Sequence, residues 1–250
     1  MGKNNYFKKI LKMISVCTCF CTFLTCVYAN PPETQGCKKE GETRVLSCDI
    51  PTNFGGTSDS GNSFFSFISR LRYVNRWALF KNSETEDLSD HSAEVAFLAH
   101  ALAVIKNKKF GGKVNAERAA LLGLYHDTPE LITGDMPSPV KYFGKEMKPL
   151  YDKIEKVAVD EMISMLPEEF ADDFKPLLCH TEEEKELWQI VKNADILSAL
   201  IKCLREKSLK NPDFDKPLNT ITEKLKTISE QCPEVDYFIK EFMPSFGFKL

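Results

Sequence analysis

The chain has 250 residues, 43% hydrophobic and 28% charged, with a net charge of −3. That length and apolar content are enough for one sizeable core. The charge balance excludes an overall basic field for a nucleic-acid polymer, and no internal repeat or long low-complexity stretch points to a solenoid or an unfolded chain.

The first residues stand apart. Lys3, Lys8, Lys9 and Lys12 precede an uncharged run, Met13 to Ala29. A basic start, an apolar run and a Val-Tyr-Ala end read as a secretory signal cut after Ala29, which predicts export. The run is slightly short for a membrane span, so membrane contact arises only if it stays uncleaved. A mis-assigned start is the remaining reading and leaves the protein cytoplasmic, but no Met lies between Met13 and Met136 to supply another one. Residues 30–62 hold Pro31-Pro32, Pro51 and Gly55-Gly56 and read as a poorly ordered linker. Cys37 and Cys48 could pair across it in an exported protein. The folded domain is predicted over residues 63–250.

Phe64, Phe67, Ile68, Leu71 and Val74 recur at helical spacing, and Asn75-Arg76-Trp77 ends that helix. The planar fork of Arg76 suits a phosphate, and Trp77 suits the wall of a nucleotide pocket. A surface Arg and a core Trp are the plain alternatives. Ser89 or Asp90 is predicted to cap a helix running to about Lys106, with Val95, Leu98, Leu102 and Ile105 inward and His91 at its start on the same face. His100, farther along, carries no site reading. Asn115 caps the next helix, which runs into Leu121-Leu-Gly-Leu-Tyr-His-Asp-Thr-Pro-Glu130.

His126 and Asp127 diverge by roughly 100° around a helix, yet both can reach one ion at the edge of a buried face. Glu130 follows one turn later on the same side. An imidazole and two carboxylates suit a divalent ion with a general acid beside it. Pro129 has no N–H for the Tyr125 carbonyl, so a kink or end is predicted there. Thr133 to Pro139 reads as a Gly/Pro-rich loop in which Asp135 is a turn former or a partner for a substrate hydroxyl.

Met147 to Met165 is predicted as an amphipathic helix with Leu150, Ile154, Ala158, Met162 and Met165 on one face, followed by a connection over Pro167 to Phe174. Glu182 to about Lys207 is a long helix with an apolar stripe through Leu187, Ile190, Val191, Ala194, Leu197, Leu200, Ile201 and Leu204. Asp195 sits at the edge of that stripe, where a carboxylate is costly unless paired or metal-bound. Cys179, Cys203 and Cys232 show no metal spacing and read as small apolar fillers. A weaker helix, Leu218 to Ile228, and a Phe-rich tail close the chain. With no sustained period-two alternation, the fold class is all-α.

The order His91, His126-Asp127, Asp195 offers two imidazoles and two carboxylates to a hard-to-borderline divalent cation. It resembles the HD superfamily of metal-dependent phosphohydrolases. Phe64 to Ser138 is more closely similar to the bacterial YfbR-type 5′-deoxynucleotidases, through SRLRYVNRW, EDLSDHSAEVA, AHALAVIKNKKFGGKVNAERAALLGLYHD and TGDMPSPVKYF, and more loosely through KNADIL and DYFIKEFMPSF. The resemblance implies an HD-domain helical bundle, a homodimer, and removal of phosphate from deoxyribonucleoside 5′-monophosphates. It implies a divalent metal, Co²⁺ being the most activating and Mn²⁺ an alternative. It places His91, His126, Asp127 and Asp195 as metal ligands, with His91, Asp127 and Asp195 also facing the substrate. Arg76 matches the residue that orients phosphate, and Trp77 the side chain that disfavours a ribose 2′-OH. Asp135, Met136, Pro137 and Ser138 match the loop on the sugar and base side, and Glu130 the catalytic carboxylate. Thr128-Pro129 departs from the smaller residues of that pattern and bears on the placement of Glu130. Other HD chemistries, on cyclic diesters or triphosphates, and a nucleotide-binding module without turnover are the competing functions.

Overall fold

The computed structural model describes residues 62–141 and 143–247. The signal-like segment, nearly all of the linker, and Cys37 and Cys48 lie outside them. The described residues form helices and turns with no strand; Asn75 and Asp87 make one isolated bridge. None of these helices is long and apolar enough to cross a membrane.

A short helix α1 (Phe64–Ile68) tightens into a 3₁₀ turn, Ser69–Tyr73, before the loop that carries Arg76 and Trp77. Helix α2 (Leu88–Phe110) begins earlier and ends later than the sequence reading placed it. Its cap is Asp87, whose carboxylate accepts from the Asp90 N–H at 3.0 Å, and Gly111 closes it in the left-handed conformation at φ 71°. Helix α3 (Ala116–Tyr125) is capped by Asn115, as expected. Two short helices follow, α4 (Glu130–Thr133) and α5 (Ser138–Lys141), so the predicted loop is confined to residues 134–137.

Helix α6 (Gly144–Ser164) buries the later part of the expected face, Ala158 and Met162, with Met165 just past its end, but not the earlier part. Tyr151, Ala158, Val159 and Met162 are buried, whereas Leu150 and Ile154 are exposed. The stretch read as a connection contains a 3₁₀ turn and helix α7 (Ala171–Leu178). Helix α8 (Lys185–Ser208) is the long helix, with its stripe buried as predicted apart from the half-buried Leu187. Helix α9 (Asp215–Gln231) extends the weaker helix at both ends, and the Phe-rich tail folds as α10 (Pro233–Glu241), started by a proline at its first position.

Helices α2, α3 and α8 pack on one another at the centre, with α9 and α10 closing one side. A second, smaller cluster of Phe64, Phe67, Val159, Met162, Met165, Leu166 and Leu178 ties α1, α6 and α7 together, and Tyr125 and Phe174 touch both. Cys203 is core, and Cys179 and Cys232 are half-buried and unpaired.

The crossing of α2 and α3 is set by Gly123. A Cβ there would lie 3.0 Å from Ala96 Cα and 3.2 Å from the Val95 carbonyl oxygen, both backbone atoms that cannot swing aside. Gly123→Ala is therefore expected to force the two helices apart and lower stability by about 1–3 kcal/mol. Denaturant unfolding measures that loss; an unchanged midpoint would show that the crossing tolerates a methyl group.

Candidate active site

The four predicted ligands come from three parts of the central packing. His91 lies in the first turn of α2, His126 and Asp127 follow the end of α3, and Asp195 lies in the middle of α8. His91 Nε2 is 3.4 Å from Asp127 Oδ2 and 3.2 Å from Asp195 Oδ1. His126 Nε2 is 3.1 Å from Asp127 Oδ2. One ligand atom each of His91, His126 and Asp195 lie within 4.8 Å of one another. Both Nε2 atoms are buried and lack a hydrogen-bond partner. Two orphaned imidazole nitrogens against two carboxylates are the donor set a divalent cation requires, so the residues fit such an ion. The other histidines lie apart: His100 is exposed, and His180 stacks on Trp188 at 4.0 Å.

Each imidazole is oriented from behind. His126 Nδ1 is 2.7 Å from the Gly123 carbonyl, which can only accept, so Nδ1 carries the proton and Nε2 is free to ligate. His91 Nδ1 is 3.1 Å from Ser198 Oγ. Burial and the Arg76 charge push His91 down, but Asp127 and Asp195 outweigh them and leave it raised. Burial would raise both aspartates, yet the imidazoles hold Asp127 well below the usual carboxylate range and also lower Asp195.

Thr128 and Pro129 work together. The Tyr125 carbonyl that Pro129 cannot serve accepts from the Thr128 N–H at 3.1 Å and the Thr128 hydroxyl at 2.7 Å. The Glu130 N–H then reaches the Asp127 carbonyl at 3.0 Å, so the chain turns at once into α4. Glu130 is thereby buried, with one carboxyl oxygen lacking any partner. Burial, then the charges of Asp127 and Asp135, push its carboxyl well above the usual range.

Arg76 lies on the other side of the ligands. Its Nε is 3.2 Å from Glu86 Oε1, and its Nη1 is 3.9 Å from Asp127 Oδ2. Burial opposes its charge, but Asp195, Asp127 and Glu86 more than restore it. Trp77 has φ 59°, a left-handed backbone that costs a non-glycine residue roughly 1–3 kcal/mol. Its ring packs on Phe80 and Phe214 at 5.7 and 5.2 Å between centroids. Its backbone N–H faces the Asp135 carboxyl and lowers it, which links the Trp77 loop to the 134–137 loop, whereas its indole N–H is buried without a partner. Met136 and Pro137 are half-buried beside Asp135, and Ser138 is exposed at the start of α5.

Sequence reasoning passed over Glu86, Glu94, Ser198, Lys202 and Glu206. Glu206 is fully buried and accepts from the backbone N–H groups of Ser83 and Glu84, from Asn211 Nδ2, and from Lys202 Nζ at 2.5 Å. Lys202 also donates to the Glu84 carbonyl at 2.5 Å. The buried pair thus pins the loop between Trp77 and Glu86 onto α8. Ser198, Lys202 and Glu206 follow Asp195 along one line of that helix, and the signal was available: polar residues at helical spacing among buried apolar ones.

The 5′-deoxynucleotidase YfbR-like family matches residues 63–246. A 5′-deoxynucleotidase of Vibrio atlanticus (strain LGP32) is 47% identical over 187 residues, which is 75% of this chain and 95% of that protein. A 5′-deoxynucleotidase of Yersinia pestis (strain Pestoides F) is 50% identical over 190 residues, 75% of this chain and 94% of that one. Among solved structures, an HD-domain phosphohydrolase of Listeria innocua shares the fold with a TM-score of 0.63 and 24% identity, over 74% of this chain and 88% of that one. The HD phosphohydrolase of cyanophage S-2L, solved with dA and one catalytic Zn²⁺, gives 0.50 and 19%, over 73% and 95%. The all-α HD fold expected from the sequence is the fold found.

Burial alone would raise the Glu206 carboxyl, but its donors bring it down to about 2. A carboxylate depressed in the folded state contributes stability above its unfolded value of about 4.3, lost as pH falls toward the folded value. Glu206→Gln is expected to lose on the order of 2 kcal/mol at neutral pH, with the gap to the parent narrowing steadily below about pH 4.3. Urea unfolding across pH 3–7 checks this; a gap independent of pH would show that the carboxylate charge does not hold the loop.

Proposed function

The chain belongs to the YfbR-like 5′-deoxynucleotidase family, and from that membership and this geometry we propose that it hydrolyses deoxyribonucleoside 5′-monophosphates to deoxyribonucleosides and phosphate. The observation that carries the reading is the convergence of two unpartnered imidazole nitrogens and two carboxylates beside a buried arginine and a carboxyl group raised well above its usual range.

His91, His126, Asp127 and Asp195 would hold a divalent ion, with Co²⁺ the most activating and Mn²⁺ an alternative. Bound there, such an ion supplies Lewis-acid charge and acidifies water at neutral pH. Arg76 binds the phosphoryl oxygens and offsets charge that grows on them as water adds to phosphorus. Glu86 holds Arg76 by its Nε, leaving the outer guanidinium nitrogens for that task. Glu130, whose carboxyl is held well above its usual range by burial and by the charges of Asp127 and Asp135, gives its proton to the departing 5′ oxygen as the P–O bond breaks. Trp77, fixed by Phe80, Phe214 and its bond to Asp135, closes the pocket against a 2′-hydroxyl. Such selectivity comes from exclusion rather than attraction. Asp135, Met136, Pro137 and Ser138 line the sugar and base side.

Two further parts of the proposal concern the whole protein. The basic-then-apolar start supports export with cleavage after Ala29, which would make the substrates extracellular or periplasmic nucleotides. The exposed Leu150, Ile154 and Val157 of α6 supply an apolar face for a second copy, supporting a homodimer. Native mass spectrometry of protein purified from its host reads both; a single chain retaining residues 1–29 would remove both.

Phosphate release from matched deoxyribo- and ribonucleoside 5′-monophosphates, with and without Co²⁺ or Mn²⁺, tests the reaction. Release is expected from the deoxy series only, dependent on metal and abolished by Asp127→Ala. Release only from triphosphates or cyclic diesters would move the protein to another HD chemistry, and tight binding without release would make it a binding module. Glu130→Gln is expected to lower kcat by about 10²–10⁴. Trp77→Ala is expected to raise activity on ribonucleotides relative to deoxyribonucleotides, and an unchanged ratio discards its role.

A further inference from the structure

His91 has two ring nitrogens in different surroundings. Nε2 faces Asp127 and Asp195, and Nδ1 faces Ser198 Oγ at 3.1 Å. Ser198 is fully buried, and its hydroxyl donates to Glu94 Oε2 at 2.6 Å. The other oxygen of Glu94 is 3.4 Å from Arg205 Nη2. Glu86 also lies toward Nδ1, but at 3.7 Å, and its Oε1 is engaged by Arg76.

A serine hydroxyl has one proton and two lone pairs. With the proton given to Glu94, Ser198 can only accept from His91. Nδ1 must then carry the imidazole proton, which leaves Nε2 with the free lone pair that a metal needs. If Ser198 rotated and donated to Nδ1 instead, the imidazole would carry its proton on Nε2 and could not ligate. His126 faces a backbone carbonyl, which has no such choice. Only His91 depends on a rotatable group, and only that group has a carboxylate behind it.

We propose that Glu94, acting through Ser198, is a positioning residue that holds His91 in its metal-binding tautomer. This rests on the metal-ligand reading above. Glu94 borders a cavity of about 390 Å³ lined also by Glu86, Phe97, Lys202 and Arg205, so shortening it leaves no sealed void in the core.

The test is Co²⁺ titration of the full chain, read as a dissociation constant and as the visible absorption of the bound ion, with urea unfolding of each metal-free variant alongside. Glu94→Ala is expected to weaken Co²⁺ binding about 10–100-fold without moving the metal-free unfolding midpoint. Ser198→Ala weakens it too, because Nδ1–H loses its acceptor. Glu94→Gln stays within a few-fold of the parent, because its amide oxygen still accepts from Ser198. Parental affinity in Glu94→Ala and Ser198→Ala, with uptake lost in Asp127→Ala, overturns this proposal and leaves the metal reading standing. A Glu94→Gln defect as large as that of Glu94→Ala overturns it as well, since charge rather than an acceptor would then be what matters. No uptake of Co²⁺, Mn²⁺ or Zn²⁺ by the parent chain overturns the metal reading and this proposal together.

Discussion

Two carboxylates turned toward one point repel each other, and so do two imidazole lone pairs. The chain must hold them there by other means, and the structure shows three. The α2–α3 crossing at Gly123 brings the helix bearing His91 against the one ending at His126. Hydrogen bonds behind each imidazole commit its orientation. A long helix contributes Asp195 from a face otherwise given over to core. Each is a packing or hydrogen-bonding device, and none uses an atom that faces the pocket.

The loop between α1 and α2 meets a related problem. It must present Arg76 inward and place Trp77 with a left-handed backbone, an arrangement its own residues do not favour. Compensation comes from outside the loop. Glu206 accepts from two of its N–H groups, Lys202 takes one of its carbonyls, and Asn211 bonds the Lys81 carbonyl. Lys202 also lies 5.5 Å over the Phe214 ring, against which Trp77 packs. Strain beside Arg76 is thus supported by a buried ion pair two to three turns of helix from Asp195.

Much of this was legible in the sequence. Apolar periodicity located α2, α3 and α8, and the cost of a lone carboxylate at the edge of a stripe singled out Asp195. The motifs around His91, His126 and Asp127 carried the rest of the proposed ligand set. The misses have physical reasons. Pro167 made the α7 region look like a connection, although it only precedes the 3₁₀ turn that leads into the helix, and α7 even accommodates Pro176 in its interior. On α6, Leu150 and Ile154 match an inward face by spacing, but Tyr151, one position on, is the residue that packs inside and reaches Thr133 at 3.3 Å. The cap of α2 was placed two or three residues late because Asp87, Ser89 and Asp90 are all competent, and only the structure shows which one accepts. Glu94, Ser198, Lys202 and Glu206 were overlooked because a periodicity search collects apolar residues and leaves out the polar ones between them.

The line Asp195, Ser198, Lys202, Glu206 runs along a single uninterrupted helix from Lys185 to Ser208. Asp195, the hydroxyl behind His91, and both halves of the loop anchor therefore ride on one rigid rod. Slippage of that rod by one residue would rotate all four by roughly 100° at once. Displacing that rod therefore disturbs Asp195, the hydroxyl behind His91 and the loop anchor together, much as the teeth of a key move with its blade.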